Sequence, residues 1–92
     1  MNKDDILCMF HSQYSPWGLR YRASKLPPKN IYRKLLELLS YMMEGHKINK
    51  TESMNIVSWA REGQWGKVMT LLNVHYSIEE LKKIFGVANV KI

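Results

Sequence analysis

Between the paired prolines Pro27-Pro28 and Gly45, apolar residues fall at Ile31, Leu35, Leu38, Leu39, Met42 and Met43. That is the rhythm of one helical face, and it predicts a helix that needs a partner surface along its length. The prolines suit its start and Gly45 its stop. Elsewhere Gly and Pro cut the chain into shorter pieces. The expectation is a mainly α protein, a compact bundle of about five short helices in a single domain over residues 1–92.

Local signals place the other elements. Ile6, Leu7, Met9 and Phe10 predict a first short helix, capped by Asp4 or Asp5 and ended before Ser15-Pro16. Asn49 with Glu52 has capping-box spacing and opens a helix with Met54, Val57 and Ala60 on one stripe and Trp59 beside it. Gly63 ends that helix, and Trp65, Val68, Met69 and Leu72 mark another directly after. The short link predicts an αα-hairpin over residues 50–73. Ser77 and Glu80 repeat the capping spacing before Ile78, Leu81, Ile84 and Phe85, with Gly86 as the stop.

From Ser12 to Pro27 no helical period is visible. There Trp17, Leu19, Tyr21 and Ala23 alternate with Gly18, Arg20 and Arg22, as in a short strand with one basic face. Val90 and Ile92 alternate weakly near the other end, so the pattern leaves room for a minor two-stranded β-ribbon.

The run from Trp59 to Val68 resembles one unit of the tetratricopeptide or pentatricopeptide type over about twenty residues. The likeness does not recur along the chain, and such arrays need about three stacked units. It implies a helical hairpin, not membership of that family. A helix-turn-helix reading of Leu81, Phe85, Gly86, Val87 and Ile92 is rejected: Lys82 stands where a small residue belongs, and no residues follow to make a groove-reading helix.

Apolar residues make up 46% of the chain and charged residues 24%, proportions of a folding domain. No apolar run approaches the roughly 18 residues of a membrane span, and no secretory signal pattern opens the chain. A single cysteine, Cys8, suits a reducing compartment, so a cytoplasmic location is expected.

Catalytic and metal chemistry find little to work with. Cys8 and His11 share a helical spacing, whereas His46 and His75 stand alone, which is short of a zinc ligand set. Such a pair is also what a buried thiol beside a helix-end histidine looks like. The pairs Asp4-Asp5 and Glu79-Glu80 sit near predicted helix starts, where negative charge is stabilising anyway. No Gly-rich phosphate loop occurs. The expectation is a non-enzymatic protein with no cofactor, metal or small-molecule substrate.

Charge is the informative quantity. The formal net charge is +6, and from Ile6 to Leu36 there is no Asp or Glu. Arg20, Arg22, Lys25, Lys29, Arg33 and Lys34 all lie in that stretch, interleaved with Tyr14, Trp17, Tyr21 and Tyr32. Cations neutralise phosphates and aromatic faces receive unstacked bases, so residues 14–34 are expected to bind nucleic acid, DNA or RNA. The plain alternative is a solvated basic loop whose rings cover helix ends. A different class of function uses the same charges: a small inhibitor or adaptor of phage or mobile-element type, docking on a larger acidic or nucleic-acid-processing protein. Its apolar anchors would be Met42, Met43, Trp59 and Trp65, since Met and Trp are favoured at protein interfaces.

Overall fold

The computed structural model describes residues 14–87. Among them are five helices: α1 (Pro16–Ser24), α2 (Ile31–Glu44), α3 (Lys50–Arg61), α4 (Trp65–Leu72) and α5 (Ile78–Phe85). No strand occurs among the described residues, and the architecture is mainly α. Two compact units divide the chain, Met1–Ser53 and Met54–Ile92, with the boundary inside α3. The helix predicted around Ile6–Phe10 and the tail positions Val90 and Ile92 lie outside the described residues.

The expected strand from Trp17 to Ala23 is a helix. Ser15 caps it, its side chain accepting a hydrogen bond from the Gly18 N–H at 3.1 Å, and Pro16 supplies a preset φ in the first turn. Those local devices outweigh the alternation. The helical period is faint because the inward face consists of Gly18, Leu19 and Ala23, two of them nearly without side chain.

In the first unit α1 packs on α2. Leu19 and Ala23 from α1 are buried, as are Leu35, Leu36, Leu39 and Met42 from α2. Each fully buried leucine is worth roughly 1.5–3 kcal/mol relative to an exposed one. Two positions of the predicted stripe differ: Ile31 is exposed and Met43 half-buried, while Leu36 joins the core instead.

Gly45 caps the end of α2, as its position predicts, but the left-handed turn comes one residue later. Gly45 keeps a φ of −82°, and the left-handed residue is His46, with φ 57°. The His46 N–H donates to the Met43 carbonyl at 3.1 Å and the Lys47 N–H to Met42 at 2.8 Å. Together they make a Schellman closure with histidine where glycine is usual. Ile48 follows it into the core.

The capping predictions are met locally. Asn49 and Glu52 cap each other's backbone N–H groups, at 2.8 and 3.2 Å, ahead of α3. Ser77 and Glu80 form the same reciprocal box ahead of α5. In the second unit α3 ends in a Schellman closure, Gln64 N–H to Trp59 carbonyl at 2.8 Å and Gly63 N–H to Ala60 at 3.1 Å, with Gly63 at φ 77°. A Cβ there meets no atom within 4 Å, so backbone conformation alone selects glycine. The helix pair predicted over residues 50–73 is present as α3 and α4. Val68, Met69 and Leu72 of α4 and Leu81 and Phe85 of α5 are buried.

Two substitutions test this account. His46→Gly removes the steric cost of a left-handed side-chain residue and gives back part of it as unfolded-chain entropy, so unfolding in urea should require about 0.5–1 kcal/mol more. Ser53 is fully buried and its hydroxyl lacks a hydrogen-bond partner. Ser53→Ala should therefore raise stability by about 1 kcal/mol, read from the same denaturation midpoint with an unchanged slope.

Candidate nucleic-acid interface

All six predicted cations lie on α1, on the turn after it, or at the start of α2. The turn is stiff. The Leu26 N–H donates to the Ala23 carbonyl at 3.0 Å, and the Asn30 N–H to the Pro27 carbonyl at 3.0 Å. Asn30 then caps α2, accepting from the N–H groups of Tyr32 and Arg33 at 2.8 and 3.2 Å. Arg33 ties the turn to the helix by donating from Nη1 to the Leu26 carbonyl at 2.7 Å. Lys25 and Lys29 are exposed on this framework.

The arginines are held in different ways. Arg20 pairs with Glu44 across the helix pair, and its guanidinium lies 5.2 Å from the Tyr41 ring centre. The hydrogen bond to Glu44 raises the Arg20 pKa above its already high value, with slight burial working against it. Arg33 pairs with Glu37 one turn on, Nε to Oε1 at 2.9 Å, the four-residue spacing that brings two side chains together on a helix. Arg22 is held by neutral groups: it donates to the Tyr32 hydroxyl at 3.3 Å and lies 5.4 Å from the Tyr14 ring centre. Lys34 is half-buried and engaged in contacts of its own.

The aromatic residues are less available than expected. Trp17 and Tyr21 stack on each other along α1, ring centres 5.3 Å apart and planes within 10°. One turn further on, the Lys25 ammonium sits 4.8 Å from the Tyr21 ring centre. Tyr21 is thus engaged by a neighbouring ring and a cation at once. Stacking on a base, expected of Trp17 or Tyr21, would compete with these contacts.

Nor does Met42 serve as an interface anchor, because it is 1% exposed and part of the core. Met42 belongs to the apolar stripe of α2, so its thioether packs inward with the leucines of that stripe. Met43 is half-buried in the first unit, Trp59 and Trp65 half-buried in the second. The partners Tyr41 and Glu44 escaped sequence reading, since no local spacing links them to Arg20. Tyr41 is 63% exposed and meets the Arg20 guanidinium at the surface.

No known family, curated protein or solved structure matches the chain. No described helix is long and apolar enough to cross a membrane. Among the described residues no cluster of three or more His, Cys, Asp or Glu could hold a metal ion, and Cys8 and His11 lie outside them.

The Arg20–Glu44 pair is about half exposed on each side, so its contribution is discounted for solvent. A double-mutant cycle with Arg20→Ala and Glu44→Ala should give a coupling below about 1 kcal/mol that shrinks between low and high salt.

Proposed function

We propose that the helix pair α1–α2 is a sequence-independent contact surface for nucleic acid, binding the phosphate backbone and not the bases. The support is stoichiometric. Residues 1–53 contain nine Lys and Arg against five Asp and Glu, so no arrangement of internal pairs neutralises them all. Residues 54–92 hold five against three.

Geometry narrows the contacts from six candidates to a smaller set. Lys25 and Lys29 are exposed at the stiff turn and lie near no carboxylate in sequence. Arg20 is exposed too but shares its charge with Glu44, and Arg33 shares its own with Glu37. Arg22 is oriented by a phenol and a ring instead of a carboxylate, with its Nη1 buried. The Lys25–Tyr21 contact is worth about 0.5–1 kcal/mol at a surface, little enough to be exchanged for a phosphate. Phosphate contacts carry no base information, so the surface is not expected to discriminate sequence. The acidic-protein reading draws on the same cations, and nothing at this face favours it.

Salt dependence tests the proposal. Binding of a labelled DNA duplex should weaken linearly in log–log form as salt rises, and Lys25→Ala with Lys29→Ala should reduce the slope by roughly two units. Arg20→Ala should reduce it by less than either lysine. Absence of binding to duplex or single strand at about 50 mM salt overturns the proposal.

A further inference from the structure

The second unit has an apolar groove of about 550 Å³ on the outer side of α4, lined by Trp59, Gly66, Lys67, Thr70, Leu71 and Val74. Its apolar walls are left partly open to solvent: Trp59 and Leu71 are half-buried, and Val74, in the turn after α4, is 79% exposed. Exposed apolar walls around a concave surface mark a contact site more than scattered surface hydrophobes do.

Gly66 sharpens the case. It sits in the first turn of α4 without a positive φ, and a Cβ built there meets no atom within 4 Å. Neither conformation nor internal packing calls for glycine, although glycine weakens a helix. What glycine does provide is a floor that an outside molecule can approach closely. The Thr70 hydroxyl donates to the Gly66 carbonyl at 2.8 Å, so its proton is already engaged.

We propose that this groove receives an acidic amphipathic helix from a partner protein. Length favours a helix: Gly66 to Val74 spans about 12 Å along a helical rise, close to the i to i+7 reach of two turns. The open mouth disfavours a small molecule, which needs about 70–90% of its surface enclosed. Charge selects the sign. Among the described residues Lys67 is the only charged one lining the groove, and it has no ion pair there. A second copy of this chain would bring together two bodies of net charge +6, so the like-charge arrangement is disfavoured. This site is independent of the phosphate-binding surface, since it uses none of the same residues.

The test uses the full chain and two fluorescein-labelled helical peptides with identical leucines at i, i+3 and i+7, one flanked by glutamates and one by lysines. Anisotropy should show saturable binding of the acidic peptide and at least about tenfold weaker binding of the basic one. Gly66→Gln fills the floor and Val74→Asp charges the wall. Both positions are open to solvent, so both variants should melt like the parent while losing about tenfold in acidic-peptide affinity. Lys67→Glu should reverse the preference between the peptides. Lys25→Ala with Lys29→Ala should leave peptide binding intact, which separates this site from the nucleic-acid surface. The proposal is overturned by lack of saturation, by equal binding of both peptides, or by groove variants that bind like the parent. Sedimentation showing a dimer broken by Val74→Asp overturns it in favour of self-association, and loss of oligonucleotide binding in Gly66→Gln overturns it in favour of nucleic acid.

Discussion

The first unit depends on how closely α1 can lie on α2. Gly18, Leu19 and Ala23 are buried on the facing side, so a helix with little hydrophobic bulk contributes one leucine and two small residues to a surface of Leu35, Leu36, Leu39 and Met42. Small residues let backbones approach, and the larger side chains of α2 fill the space. All the remaining positions of α1 face away from that seam or lie at its edge. Apart from the terminal Pro16 and Ser24 these are Trp17, Arg20, Tyr21 and Arg22, which puts rings and cations beside each other. The charged surface is thus a consequence of the packing on the opposite side of the same helix.

That arrangement explains which parts of the molecule could be read from sequence. Asn49 with Glu52, Ser77 with Glu80 and Arg33 with Glu37 act across three or four residues, within one helical turn, and spacing alone places them. The core stripe of α2 is legible for the same reason. By contrast, α1 carries a Ser-Pro start signal whose weight was outmatched by an apparent period of two. Trp17, Leu19, Tyr21 and Ala23 alternate in sequence yet serve two sides of a helix: Leu19 and Ala23 face the seam, and Trp17 stacks on Tyr21. Four residues are enough to satisfy both patterns, and periodicity cannot arbitrate between them.

Features that join distant segments were beyond any spacing rule. Arg20 and Glu44 meet because α1 and α2 turn back on each other, and the predicted cation patch did not include that carboxylate. The left-handed position after α2 falls on His46, and Ile48 two residues on is buried. A glycine in the sequence names the neighbourhood of a helix end and not the residue that bends. The groove beside α4 belongs to this class too: Gly66 looks like an ordinary helix-start residue until the empty space around it is known.

The way each cation is held bears on what the surface can do. A carboxylate partner fixes an arginine and cancels its charge, whereas a phenol or ring fixes it and leaves the charge in place. Arg22 belongs to the second kind. The Pro27-Pro28 turn has the corresponding effect on the lysines. Proline removes φ freedom, and the bonds from Leu26, Asn30 and Arg33 remove more, so the backbone that carries Lys25 and Lys29 is already ordered before any ligand arrives. A polyanion binding there orders two flexible side chains and not a loop, which preserves more of its contact energy as affinity. The short stiff turn is therefore the part of this fold best suited to meet an anion, even though its arginine neighbours outnumber its lysines.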